Sequence, residues 1–255
     1  IGTVYPIFLD VISSQKISVG PPFYHKLLIP FLIPFLLMMA IGPKLKWIKS
    51  NLDDKLYLIS LFIISILLAF VILKNFSQNI LINTILISSA LYLFFITLRD
   101  FFVKKYKKIS QNFAHFGFSL LILSILFNNL FSSEIITNLK VGETFENSET
   151  KIVFESINQK KEKNYNSIVA NFNIKNSKGE EDTFSPELRI YNQPVIATSE
   201  ADIKTTLMSD KFIVINIVQN QDFFNVRYQV KPFMMWIWLS VILISIGGVI
   251  SFYKK

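Results

Sequence analysis

Leu56–Leu73 reads LYLISLFIISILLAFVIL, eighteen residues without a charged side chain. As a helix rising about 1.5 Å per residue, it is long enough to cross most of a hydrocarbon layer about 30 Å thick. Further windows of the same character lie at 26–43, 79–98, 111–131 and 233–252. Hydrophobic residues are 51% of the chain and charged residues 17%, well below the quarter or so of a soluble domain. The apolar excess demands lipid as a second solvent. Residues 1–12 read as the outer end of one more, partial span, and the chain opens on Ile1 without a basic leader. The expectation is therefore part of a longer protein, with no signal peptide.

The net charge of +8 is placed by topology and not by a nucleic-acid surface. Residues 132–232 hold 14 acids and 12 bases, close to neutral. The surplus sits in short connections: Lys44, Lys46, Lys49 and Lys55; Arg99, Lys104, Lys105, Lys107 and Lys108; and the terminal Lys254 and Lys255. The alternate connections hold only Lys16 and Lys74. Lysine-rich loops mark the cytoplasmic side, so residues 132–232 are expected on the periplasmic side and the C-terminus in the cytoplasm. Trp47, Trp236 and Trp238 fit interfacial positions. Pro30 and Pro34, four residues apart, are expected to kink the first complete span.

Residues 132–232 read as β. Lys151–Ser156, Ser167–Ile174, Lys211–Val218 and Phe224–Val230 alternate or are rich in β-branched residues, and Asn176-Ser177-Lys178-Gly179 reads as a hairpin turn. The expected fold is a multi-pass helical membrane protein carrying a small antiparallel β barrel or sandwich. The domains are 1–131 (helical), 132–232 (β) and 233–255 (a last span with a short tail).

Phosphate loops, HExxH and nucleophile elbows are missing from the chain, and with no cysteine there are no disulfides or thiolate sites. His115 is the one ionisable group well inside a span, where such a group is costly unless it has a task. At helical spacing it shares a stripe with Gln111 and Ser119, with Asn112 beside it and Ala114 and Gly117 leaving the backbone nearly bare. Two readings stay open: an iron ligand with room for a flat macrocycle, or an interhelical hydrogen bond with Gly117 present for packing. His25 at the mouth of the first complete span reads as an ordinary interfacial residue. Asp10 and Asp100 read as solvated. In the β segment, Ser185–Tyr191 and Thr198–Ile203 gather charge. They read either as a strand edge and turn with a weak Glu187–Arg189 pair, or as a partner surface facing the membrane and formed by Glu187, Arg189, Tyr191, Glu200 and Asp202.

In order along the chain come Ile17–Phe23 (ISVGPPF), Ala40–Pro43 (AIGP) with Trp47, Ala114–Gly117 (AHFG), and Pro186–Tyr191 (PELRIY). Thr198–Ile203 (TSEADI) and Val230–Phe233 (VKPF) with Trp236-Ile237-Trp238 complete the series. This series resembles the C-terminal part of the CcmF family, the membrane haem lyase subunit of cytochrome c maturation. The resemblance implies haem transfer from a membrane-tethered haem chaperone to the CxxCH thiols of apocytochrome c, alongside a thiol-handling subunit. It also implies a haem b reduced by quinol, with His115 as one axial ligand and Ala114, Gly117 and Ser119 packing on the ring. The family's tryptophan-rich segment and its other ligand histidines have no counterpart here. An upstream half or N-terminal region of the same subunit is therefore an expected partner, besides the lipid bilayer, and the chain is not expected to act alone. The alternative expectation is a non-catalytic anchor that displays the β domain.

Overall fold

A computed structural model describes residues 4–13, 20–45, 55–76, 80–103, 109–177, 179–218 and 222–253. The described residues form six α-helices: α1 (Val4–Ser13), α2 (Pro21–Ile41), α3 (Lys55–Leu73), α4 (Ile80–Val103), α5 (Ile109–Phe131) and α6 (Met234–Tyr253). Five of them, all but α1, contain windows long and apolar enough to cross a membrane. α2 runs unbroken through Pro30 and Pro34 and ends in a short 3-10 turn, Gly42–Lys44. Trp47, Lys46, Lys49 and the lysines at 104–108 lie outside the described residues, as do the side chains of Asp10 and His25.

The chain divides into two compact units, Ile1–Leu126 with Leu239–Lys255, and Phe127–Trp238. In the helical unit small hydroxyl residues share the interior with apolar ones, and large apolar residues also face outward. Ser65, Ser88, Ser89, Thr97, Ser119, Ser124 and Ser240 are buried, whereas Leu56, Leu81 and Phe31 are exposed. Small hydroxyls tolerate this because each can turn back onto its own helix. Ser65 Oγ donates to the Leu61 carbonyl at 2.8 Å, and Ser89 Oγ to that of Ile85 at 2.8 Å. Their small size also lets helices approach closely.

Among the described residues the second unit has ten strands: β1 (Ser133–Leu139), β2 (Thr144–Glu146), β3 (Thr150–Lys161), β4 (Tyr165–Asn176), β5 (Glu181–Phe184), β6 (Glu187–Tyr191), β7 (Ala197–Glu200), β8 (Asp202–Thr205), β9 (Ser209–Ile217) and β10 (Phe224–Pro232). They make two antiparallel sheets, β1-β10-β9-β8 and β2-β3-β4-β6-β7, with β5 also on β4. Of the two folds expected, this is the sandwich. All four strands anticipated from alternation are present, in β3, β4, β9 and β10, the third ending one residue earlier than anticipated, at Ile217. The anticipated hairpin turn is present too: Gly179 N–H donates to the Asn176 carbonyl at 3.0 Å, with Gly179 at φ +81, a conformation that favours glycine.

Between the sheets, Phe154, Phe172, Phe184, Ile152, Ile213, Ile215 and Val226 are wholly buried, with Phe154 and Phe172 stacked at 4.4 Å. β1 and β10 are neighbours, Ser133 opposite Val230, so the domain enters and leaves through adjacent strands. Phe233, between β10 and α6, has φ 63, a region costly for a bulky residue. Its ring lies against Phe127 and Phe131 of α5 at 5.6 and 6.5 Å, and Asn128 Nδ2 donates to the Pro232 carbonyl at 2.6 Å.

Candidate functional site

α5 presents three occupied faces. Toward α4, Ser119 Oγ and Thr97 Oγ1 share a hydrogen bond of 2.7 Å, Asn112 Nδ2 donates to the Asp100 carbonyl at 3.1 Å, and Phe113 and Phe116 meet Phe101 at 5.1 and 5.2 Å. Toward α6 the contact is backbone to backbone. A Cβ on Gly117 would stand 2.9 Å from the Ser240 carbonyl oxygen and the Ile244 nitrogen. One on Gly247 would stand 2.8 Å from the Ser110 carbonyl oxygen and the Ala114 nitrogen. Toward α2, Phe118 meets Phe35 edge-on at 6.0 Å.

His115 lies one turn below Phe118 and Ser119, at i+3 and i+4, and thus on the α5 side shared by α2 and α4. The residue is half-buried. Among the described residues its imidazole has no hydrogen-bond partner, so the interhelical hydrogen bond is not what the structure shows. Asp100 of α4 is near enough to act on it electrostatically. Asp100 is not simply solvated, as its position near a span end suggested. Both its carboxylate oxygens accept from Lys44 Nζ, at 3.0 and 2.9 Å, with side-chain exposures of 21% and 14%. Arg99, one residue earlier, stacks 4.1 Å from the Tyr57 ring centre. A half-buried ion pair of this kind holds the end of α4 to the 3-10 turn after α2.

Placement of the other site residues corrects the sequence reading. Ala114 and Gly117 are small because α6 occupies that face, which leaves no gap there for a flat ring. Ser119 is 1% exposed and spent on Thr97 and on the Phe116 carbonyl at 2.8 Å. Of these residues His115 is the one with no hydrogen-bond partner among the described residues, and its side chain is only half-buried. Among the described residues no group of three or more His, Cys, Asp or Glu could hold a metal ion, and the side chain of the other histidine, His25, lies outside them. A separate apolar groove of about 390 Å³ lies among Leu37, Ile41, Lys55, Leu58, Phe62 and Tyr92 and does not include His115.

In the sandwich, Glu187, Arg189 and Tyr191 alternate along one face of β6, and Glu200 stands opposite Glu187 on β7. Arg189 bonds Glu187 at 2.9 Å and stacks 5.1 Å from the Tyr165 ring centre, which in turn meets Tyr191 at 5.4 Å. Glu187 first, then Tyr191, holds the guanidinium firmly charged. Asp202 faces elsewhere, accepting from the Ser185 N–H at 2.6 Å. The residues tied to the first turn of α6 are others: Met208, whose carbonyl accepts the Phe233 N–H at 2.8 Å, and Leu207, whose carbonyl accepts Trp236 Nε1–H at 3.0 Å. Two large apolar residues at a hairpin tip, where Gly, Asn or Asp is usual, were the signal that could have found them.

Comparison with known proteins agrees with this architecture. Residues 130–232 match the family described as CcmF C-terminal beta-sandwich. The chain is 24% identical to the cytochrome c-type biogenesis protein CcmF of Pseudomonas aeruginosa over 98% of its own length and 40% of the relative's. It is 24% identical to CcmF of Haemophilus influenzae (100% and 42%) and 22% identical to CcmF of Escherichia coli (99% and 40%). A solved structure titled cytochrome c heme lyase CcmF superposes with a TM-score of 0.73 at 19% identity, over 97% of this chain and 41% of that one. The chain thus spans about two-fifths of the length of the curated relatives it matches. With five apolar helices and this sandwich, the chain is similar over nearly its whole length to part of the CcmF cytochrome c-type biogenesis proteins, and its β unit matches their C-terminal beta-sandwich.

Proposed function

We propose that the chain is the C-terminal portion of a membrane haem lyase subunit that holds a haem b through His115 and helps pass a second haem from a haem chaperone to apocytochrome c. The observation that carries this reading is a half-buried imidazole inside a span, without a hydrogen-bond partner among the described residues, on a helix that contacts α2, α4 and α6. An ionisable group in that position is costly without a task. A neutral imidazole is a good iron ligand. α4 and α6 fix α5 by hydrogen bonds and by backbone contact, so the imidazole is carried on a rigid support. Asp100, paired with Lys44, is near enough to act on the ring electrostatically. When bound, haem would supply a one-electron couple; the protein supplies ligand, burial and orientation.

Under this reading the second axial ligand comes from the upstream part of the same subunit, quinol is the electron source, and the sandwich displays Glu187, Arg189, Tyr191 and Glu200 to periplasmic partners. The lysine-rich connections face the cytoplasm. The test is His115→Ala in the assembled complex, read by the reduced-minus-oxidised α-band. Loss of the band with assembly intact is expected. An unchanged spectrum refutes the assignment and leaves the anchor reading, in which α5 and α6 simply present the sandwich.

A further inference from the structure

Sandwich hairpins end in water, and their tips carry residues that suit both water and the turn. The β8–β9 tip does not. Its four residues are Thr206, Leu207, Met208 and Ser209, closed by Thr206 N–H to the Ser209 carbonyl at 2.9 Å and by Ser209 N–H to Thr206 Oγ1 at 3.0 Å. The two central residues are 66% and 64% exposed.

Two hydrogen bonds fix where this tip stands. The Met208 carbonyl accepts from Phe233, the residue just before α6, and the Leu207 carbonyl accepts from the Trp236 indole in the first turn of α6. α6 is a span, Met234–Tyr253, so its first turn lies where the helix enters the bilayer. Tryptophan prefers that boundary, and Trp238, 65% exposed, follows on the same turn. The bonds matter for a second reason. A carbonyl carried out of water is costly unless it is paired, and both tip carbonyls are paired by groups of α6 or its approach. The tip thus has its polar backbone satisfied and its apolar side chains bare, which suits the headgroup–acyl boundary and suits water poorly.

We propose that Leu207 and Met208 form a lipid anchor, inserted at the interface beside Trp236, that pins the β sandwich to the bilayer surface at a fixed height. The partner is the lipid itself, and the surface is separate from the Glu187–Tyr191 face. The role does not depend on haem.

The chain has no cysteine, so single-site labelling needs no background removal in it. Leu207→Cys, Met208→Cys and Val195→Cys each carry the same environment-sensitive fluorophore, in the whole chain with the partners it assembles with, in nanodiscs. Val195 is 82% exposed on the β6–β7 connection, with β7 and β8 between it and the tip, and it controls for any affinity of the label for lipid. Labels at 207 and 208 are expected to be quenched severalfold more than the one at 195 by a lipid nitroxide placed near the headgroup. An aqueous quencher should show the reverse order. Equal quenching at the three sites, or a tip label as open to the aqueous quencher as the one at 195, overturns the proposal. Trp236→Phe, which deletes the donor to Leu207 while keeping an aromatic ring, is expected to shift the tip labels toward the aqueous quencher. No shift on that substitution would mean that the indole does not set the depth.

Discussion

The helical unit and the sandwich solve opposite solvation problems with the same kinds of side chain. In the sandwich the buried residues are large and apolar, Phe154, Phe172 and Phe184 among them, while exposed strand positions include Lys151, Glu155 and Lys175. In the helical unit buried serines and a threonine lie beside large aliphatic residues that remain exposed. Water drives the first arrangement, since burying a phenylalanine removes a large apolar surface from it. Lipid is as apolar as leucine and provides no such drive, so close backbone approach and interhelical hydrogen bonds decide the second. The same substitution should therefore have different consequences in the two units.

The largest expected effect is in the sandwich. Phe172→Ala deletes a fully buried ring stacked on Phe154 and should cost about 3–5 kcal/mol, a sizeable part of the roughly 5–15 kcal/mol that holds a domain together. Denaturant titration in detergent with pulse proteolysis of the strand segments should show the midpoint fall, while the helical circular-dichroism signal persists. Loss of both together would break the contrast, because it would make the two units one cooperative body.

The converse test adds apolar surface where lipid is the solvent. Gly117→Leu raises hydropathy, and a hydropathy argument expects a gain in the membrane. The seam expects a loss, since any Cβ at 117 meets the Ser240 carbonyl and the Ile244 nitrogen at 2.9 Å. Overpacking of this kind costs about 1–3 kcal/mol. Resistance of the α5–α6 contact to SDS, read by a cross-link between the two helices, should fall. Unchanged resistance would show that α6 yields easily and that the close approach is not what holds α5.

This contrast also explains what could be seen in the sequence. Leu56–Leu73 declares its solvent by composition alone, and Ser167–Ile174 declares a strand by its alternation, because each pattern is local. Lys44 and Asp100 are 56 residues apart, and no local pattern joins them. Asp100 therefore looked solvated. The helical wheel placed Ala114 and Gly117 on one side of α5 but could not say which neighbour fills it, since a bare backbone serves a cofactor and a helix equally. β1 is not among the strands anticipated because Ser133–Leu139 carries Ile135 and Ile136 side by side and does not alternate. Short strands such as β5 and β7 are too brief to alternate visibly.

The smallest expected effect sharpens the comparison through charge. In the sandwich Asp182 accepts from Lys211 Nζ at 2.7 Å, with Lys204 Nζ at 3.5 Å. The Lys211 hydrogen bond, opposed by partial burial and helped by the charges of both lysines, holds the carboxyl below its usual range. A depressed carboxyl contributes stability that is whole above the unfolded-state value, near 3.9, and is lost as pH falls through the lower folded-state value. With a side chain 25% exposed and water nearby, that contribution should be no more than about 1 kcal/mol. Asp182→Asn should therefore lower the calorimetric midpoint of the sandwich slightly at neutral pH and flatten its fall below pH 4. The helical unit has no reason to follow, because its Lys44–Asp100 pair is a different contact in a different solvent. If the midpoint of the D182N variant falls as steeply in acid as the parent's, the acid sensitivity lies elsewhere, with Glu134 and its Arg227 and Gln229 partners next in line.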